Sequence, residues 1–196
     1  MPVRIVLATG NDHKAAEVGL ILGARWEVVA RDPGVEETGD TFEANALLKA
    51  RAVRDVTGEP AIADDSGIEI DALGGRPGIH SARWAAEDDW IPNVLRELDG
   101  VGGEDRTCRY VCAAAVAWPD GDESVVRGTV EGRVSDEPRG TGGFGYDPIM
   151  VPVEGDGRTY AEMSPEEKHA TSHRARAFRA LRDLLDQRMG PGGGGG

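Results

Sequence analysis

Lysine is scarce in this 196-residue chain: Lys14, Lys49 and Lys168 stand against nineteen arginines. Arginine serves wherever a generic positive charge is wanted, so each lysine marks a place for a compact charge on a flexible stem. Such a charge suits phosphate or a single oxygen that a planar fork does not fit; the alternative is three scattered surface cations. Positive charge as a whole is also short. Lys and Arg total 22 against 35 Asp and Glu, a net charge of -13, which argues against a broad nucleic-acid or anionic-membrane surface. A phosphate-bearing ligand would have to be small and met by a local basic cluster. Cysteine is down to Cys108 and Cys112, whose spacing fits no zinc pattern without further ligands; both read as reduced thiols on one face of a buried strand. No apolar run approaches a membrane span, and Met1–Ile5 lacks the regions of a signal peptide. The expectation is a cytoplasmic protein with no membrane partner.

What is present describes an ordinary globular chain, 39 % apolar and 29 % charged, long enough for one well-buried core. A single domain is expected over residues 1–189, followed by a flexible glycine-rich tail at 190–196.

Arg4–Ala8 reads as an apolar strand broken by Thr9-Gly10-Asn11-Asp12, with a helix over His13–Leu22. Thr9, Asn11 and Lys14 then lie at a strand-to-helix junction, where free N–H groups and the helix dipole favour an anion; a plain N-cap by Asn11 or Asp12 is the other reading. A second strand, Trp26–Ala30, leads into a polar loop holding Glu36 and Glu37, either an exposed acidic loop or a source of metal ligands. Asp40 or Thr41 caps a helix to Val56, with Glu43 at a capping position and Phe42, Ala46, Ala50 and Val53 as its apolar stripe. Asn45 and Lys49 share a neighbouring face.

Ala61-Ile62-Ala63 is a short strand that ends in Asp64-Asp65-Ser66-Gly67. Two carboxylates at a strand end suit a divalent cation and an activated water; Asp-Ser-Gly is equally a turn composition. Leu73–Trp84 reads as a loop ordered by packing or by a ligand, and Pro92 starts a helix to Leu98. Thr107–Trp118 and Ser124–Glu131 form an architectural hairpin. In Gly140–Pro148 the glycines allow close backbone approach while Phe144 and Tyr146 offer flat faces for a base, or else cap the core. Ser164-Pro165-Glu166-Glu167 starts a helix carrying Lys168, and Thr171 or Ser172 begins a last helix with His173 and Arg174 in its first turn. A cation there opposes the helix dipole, which points to a ligand.

An acidic cluster, three isolated lysines, an aromatic glycine loop and a His-Arg pair are what a metal-dependent enzyme acting on a nucleoside triphosphate needs. Thr9-Gly10-Asn11 with Lys14 and Glu17, Glu36-Glu37-Thr38-Gly39 with Phe42, Asn45 and Lys49, Ala63–Gly67, Pro77-Gly78 with Ser81-Ala82-Arg83, Gly142–Pro148, and Glu167-Lys168 with Ser172-His173-Arg174 occur in that order. Together they resemble the inosine triphosphate pyrophosphatase family, also called the dITP/XTP pyrophosphatases, from residue 5 to about 185. The resemblance implies Mg2+-dependent hydrolysis of ITP, dITP and XTP to the monophosphate and pyrophosphate, clearing deaminated purines from the nucleotide pool. It implies an elongated α/β fold with a curved mixed β-sheet flanked by helices, two lobes with an active-site cleft, and a homodimer. Asp65 would be the proton acceptor that activates water, and Glu36 with Asp65 would bind Mg2+, Glu37 being the alternative ligand because the segment before the pair is shorter than is usual. Thr9, Gly10, Asn11, Asp12, His13, Lys14, Lys49 and Ser66 would hold the triphosphate. Phe144, Gly145, Tyr146, Asp147, Lys168, His173 and Arg174 would hold the base.

A cation aimed at the 6-oxo group of hypoxanthine or xanthine is left unpaired against the 6-amino group of adenine, a mismatch that can discriminate on the order of 10^4. The alternatives are a pyrophosphatase of pyrimidine triphosphates such as dTTP and UTP, which the Phe144–Asp147 and Ser172–Arg174 motifs oppose, and a nucleotide sensor that does not hydrolyse.

Overall fold

The unbroken apolar run Ile5-Val6-Leu7-Ala8 reads as a strand buried on both faces, and it forms the inner part of β1, Val3–Ala8. The fold is that of a computed structural model, which describes residues 1–86 and 89–190 apart from the side chains of Asp12 and His13. All of the expected glycine-rich tail except Gly190 lies outside the described residues. After β1, Asn11 caps helix α1, Asp12–Leu22, its side chain accepting from the Lys14 N–H at 3.1 Å. Strand β2, Trp26–Arg31, returns parallel to β1 with Val3 opposite Trp26 and Ala8 opposite Arg31. Thr41 then caps helix α2, Phe42–Thr57, which Gly58 closes at φ 67°. Glu43 does not close that cap; it pairs with Arg127 at 3.2 Å.

Strand β3, Ala61–Ile70, lies on the other side of β1, with Val6 opposite Ala61 and Leu7 opposite Ile62. Successive crossovers therefore leave β1 in opposite directions, which makes a topological switch point at the carboxyl ends of β1 and β3, the usual ligand position in an open parallel sheet. By this register Ala8, the last residue of β1, is level with Ala63, and Asp64 and Asp65 run just past it.

The short strand expected at Ala61–Ala63 does not end at the aspartates. It continues ten residues to Ile70, because Ile68 and Ile70 are fully buried beyond them and nearby cations neutralise the carboxylates within the strand. Strands β4, Thr107–Ala117, and β5, Glu123–Val134, are joined by a turn in which the Trp118 N–H donates to the Asp122 carbonyl. A three-residue strand β6, Met150–Pro152, too short to leave a period in the sequence, pairs antiparallel with β5. The sheet order is β2-β1-β3-β4-β5-β6, a mixed α/β sheet as expected.

Helices α3, Trp90–Glu97, α4, Pro165–Thr171, and α5, His173–Met189, complete the main elements. Helix α3 starts at Trp90, so Pro92 sits inside its first turn. The reciprocal cap expected at α4 is present, with Ser164 bonded to the Glu167 N–H and Glu167 to the Ser164 N–H.

The chain forms two compact units. The first comprises residues 1–65, 112–128 and Arg174 onward. Its core packs Ile5 and Leu7 of β1, Ile62 of β3 and Cys112, Ala114 and Val116 of β4 against Val18 and Leu22 of α1 and Phe178, Leu181 and Leu185 of α5. The second comprises residues 66–111 and 129–173, with Ile68, Ile70, Val94, Leu98, Tyr110, Tyr146, Ile149, Met150 and Tyr160 in its core. The loop expected at 73–84 is ordered by packing in this unit. It forms short 3-10 turns at Asp71–Leu73 and Gly78–Arg83, and the Ser81 hydroxyl accepts from the Ile68 N–H at 2.9 Å while donating to the Gly78 carbonyl at 2.6 Å.

Candidate active site

Side chains alternate along a strand, so Asp64 and Asp65 leave β3 on opposite faces. Both are buried, 2 % and 7 % exposed. Asp64 faces α1 and α5: Lys14 Nζ is 2.6 Å from its Oδ1 and Arg174 Nε 3.4 Å from its Oδ2, with Cys112 Sγ at 3.9 Å. Arg174 also reaches Glu17 at 3.5 Å. Burial alone would push the Asp64 carboxyl up, but Lys14 and then Arg174 outweigh it and hold the group far below the ordinary carboxylate range.

Asp65 faces α2. Asn45 donates from Nδ2 to its Oδ2 at 3.1 Å, and Lys49 Nζ lies 3.6 Å from its Oδ1 and 2.6 Å from Glu37 Oε1. Burial pushes Asp65 up, Lys49 offsets only part of that, and Glu37 adds to the rise, so its affinity for a proton exceeds that of an ordinary aspartate. Burial opposes charge on Lys49 too, but Asp65 and Glu37 together keep it a stable ammonium. Consecutive carboxylates thus differ in kind: one is a fixed anion and the other is ready to take a proton, the pattern by which acid-base roles are assigned.

At the end of β1, Thr9 is buried and its hydroxyl accepts from the Asn11 N–H at 3.1 Å. The junction is a capped helix start, and it carries Lys14 to Asp64. Gly10 is exposed beside Asp32. The side chains of Asp12 and His13 lie outside the described residues.

Of the acidic pair, Glu36 is exposed and Glu37 is the one that meets Lys49 next to Asp65. Among the described residues no three His, Cys, Asp or Glu side chains form a metal-holding group. Magnesium does not need one, since it is commonly held by one or two carboxylates together with substrate phosphates and water. Glu37 and Asp65 supply such hard oxygen donors, so this donor set fits the ion.

In the second unit Asp147, 2 % exposed, collects three donors. Its Oδ2 accepts from the Phe144 N–H at 2.8 Å and from Lys168 Nζ at 2.5 Å, and its Oδ1 from the Tyr110 hydroxyl at 3.1 Å. Gly143, at φ 69°, has no room for a side chain: a Cβ there would lie 2.1 Å from Asp147 Oδ2. The loop's two aromatics part company. Phe144 is 64 % exposed with Lys168 Nζ 4.2 Å from its ring centre, whereas Tyr146 is buried, stacks on Trp90 and donates to the Ser81 carbonyl at 2.8 Å. Gly145 between them takes φ 61°. His173 is buried with its ring 4.7 Å from that of Tyr110. Ser66, directly after Asp65, is half-buried.

The first unit thus gathers Thr9, Lys14, Lys49, Asp64, Asp65 and Arg174, and the second Phe144, Asp147, Lys168 and His173. Arg174, expected at the base, is engaged by Asp64 and Glu17. Two contributors escaped assignment from sequence. Tyr110 sits in an apolar strand run that gives no signal, and Asn45 stands in a motif and four residues from Lys49 without a role attached.

The sequence profile of the Ham1 family matches residues 5–184. The chain belongs to the Ham1 family. Among its relatives, the dITP/XTP pyrophosphatase of Symbiobacterium thermophilum is 54 % identical over 89 % of this chain and 91 % of that protein. Among solved Ham1 folds, the Staphylococcus aureus Ham1 protein aligns with TM-score 0.86 at 36 % identity, covering 95 % of this chain and all of that one. The nucleoside-triphosphatase / dITP/XTP pyrophosphatase of Mycobacterium abscessus aligns with TM-score 0.77 at 42 % identity over 91 % of this chain and 98 % of that one.

Proposed function

We propose that this Ham1-family chain hydrolyses non-standard purine nucleoside triphosphates, dITP, XTP and ITP, to the nucleoside monophosphate and pyrophosphate. The observation that carries the mechanism is the division of labour between Asp64 and Asp65. Asp65, buried and raised in proton affinity, accepts the proton of the water that attacks the α-phosphorus. A base of this kind is worth roughly 10^2 to 10^4 in rate. Asp64 keeps its charge and holds Lys14 in place, and Lys14 and Lys49 neutralise the triphosphate oxygens together with the N–H groups of the Thr9–Lys14 junction and the Ser66 hydroxyl.

Glu37 and Asp65 would hold Mg2+, the role expected of Glu36; Glu37 is favoured because its carboxylate lies near enough to Asp65 to raise that group's proton affinity. The ion would supply charge neutralisation at the phosphates and a lowered pKa for water. Phe144 offers its exposed face to the base, and Lys168, fixed by Asp147, presents a donor suited to a 6-oxo group, with His173 packed behind. An acidic chain with no described helix long and apolar enough to cross a membrane is compatible with a cytoplasmic enzyme of small-molecule nucleotides, and the resemblance of its motifs implies a homodimer.

Pyrophosphate release measured with Mg2+ across ITP, dITP, XTP, GTP, ATP and dTTP tests this. Turnover concentrated on the first three is expected. No turnover on any of those three would overturn the proposal, and preference for dTTP would move the chain to the pyrimidine group.

A further inference from the structure

Asn45 is wholly buried in the first turns of α2, where an amide side chain carries a desolvation cost that its hydrogen bonds must offset. One of those bonds fixes which way round the amide lies. The Gly39 N–H can only donate, and it does so at 2.7 Å, so the atom facing it is the carbonyl Oδ1. Nδ2 is thereby turned toward Asp65, to whose Oδ2 it donates at 3.1 Å. The fit around this bridge is tight. A Cβ on Gly39 would lie 2.8 Å from both the Ala44 Cβ and Asn45 Oδ1, so the backbone reaches the amide only because residue 39 has no side chain.

From this geometry we infer that Asn45 is a positioning residue for the reaction: it sets the direction in which the Asp65 carboxylate presents its second oxygen and ties that carboxylate to the end of the loop that carries Glu37. The inference rests on the reading of Asp65 as the proton acceptor. Oδ2 takes the amide donor while Oδ1 faces Lys49, and Oδ1 is the oxygen to which the attacking water passes its proton. A carboxylate free to rotate would present either oxygen at a range of angles, and misplacement of about 1 Å is enough to cost roughly 10^2 in rate. Asn45 itself touches no reacting atom; its effect passes through Asp65, so it belongs to the chemical step and not to nucleotide affinity.

Two variants separate this role from a merely structural one. Asn45→Asp is nearly isosteric and keeps an acceptor for the Gly39 N–H, but replaces the donor to Asp65 by an oxygen; Asn45→Ala removes both bonds. Each would be measured for kcat and KM with ITP, for binding of the α,β-imido analogue of ITP by calorimetry, and for thermal stability. The expected result is a kcat reduced about 100-fold in Asn45→Asp with analogue affinity within about threefold of wild type. A kcat within about threefold of wild type in a folded Asn45→Asp protein overturns the inference while leaving the activity standing. Loss of analogue binding in step with kcat assigns Asn45 a structural role and overturns it as well. Should Asn45→Ala fail to fold, Asn45→Asp still decides. A wild-type protein with no turnover of ITP, dITP or XTP would overturn the activity and this inference together.

Discussion

Lys14 Nζ stands 2.6 Å from Asp64 Oδ1, in a pair whose carboxylate side chain is only 1 % exposed. Arg174 closes on the other oxygen, so two cations face one buried anion and burial does not neutralise it. A folded-state pKa held below the ordinary 3.8 contributes stability above that value and loses it as pH falls toward the folded value. Acid titration of urea unfolding should therefore show the wild type losing stability below about pH 4, and Asp64→Asn showing a shallower dependence over the same range. At neutral pH the substitution should cost about 3 to 5 kcal/mol, because it leaves Lys14 and Arg174 without their buried partner. Equal acid slopes in the two proteins would contradict the assignment.

Asp65 has the opposite bias. Its carboxyl is raised above 3.8 by burial and by Glu37, so the acid limb of kcat/KM should fall through a pH higher than an ordinary aspartate would give, activity being lost as the base is protonated. Asp65→Asn should lower kcat by about 10^3 while an unhydrolysable analogue still binds. Single-turnover assays and calorimetry check both, and near-normal turnover would place the base elsewhere.

Lys168 is held over the Phe144 ring by Asp147. Lys168→Met removes the donor without removing much bulk, and should raise KM for ITP about tenfold with little change in kcat, the loss of one charged hydrogen bond. The preference for ITP over ATP should narrow in the same assay. An unchanged ratio of kcat/KM for the two nucleotides would exclude Lys168 from base selection.

Gly143 combines φ 69° with a would-be Cβ only 2.1 Å from Asp147 Oδ2. Gly143→Ala should cost about 1 to 3 kcal/mol from backbone strain alone, and the clash should also loosen Asp147 from the Phe144 N–H. Thermal unfolding together with KM for ITP reads both effects; a variant as stable as wild type would show that the loop yields easily.

Cys108 is fully buried, and burial pushes its thiol up to about 12. Thiolate is the reactive form. Iodoacetamide at mildly alkaline pH should leave Cys108 unmodified in the native protein and alkylate it promptly in denaturant, as mass spectrometry of tryptic peptides would report.

Much of the arrangement was legible in the sequence because caps and periodicities are local. The Ser164–Glu167 cap, the α2 stripe and the β1 run all depend on neighbours a few residues away, and each folded as its pattern predicts. What escaped was non-local. Asp64 and Asp65 looked like a strand end because adjacent carboxylates are unfavourable in a buried strand; the cations that make them tolerable come from Lys14, Lys49 and Arg174, far along the chain. Tyr146 read either as a face for a base or as a cap on the core; its ring found Trp90 and its hydroxyl the Ser81 carbonyl, partners that spacing alone could not name. The motif favours Glu36 with Glu37 as the alternative, and only the fold shows that Glu37 is the one turned toward Lys49.

The partners of Asp64 carry one more implication, for the order in which the protein is made. Lys14 and Asp64 emerge from the ribosome early, but Arg174 follows 110 residues after Asp64, in the helix that completes the first unit. Until that helix docks, the nascent parallel strands hold an aspartate with only part of its counter-charge, and closure over so long a span slows folding. Maturation of β3 is thus a late, C-terminal event, and a polypeptide cut before α5 would be prone to capture by chaperones however complete its N-terminal motifs.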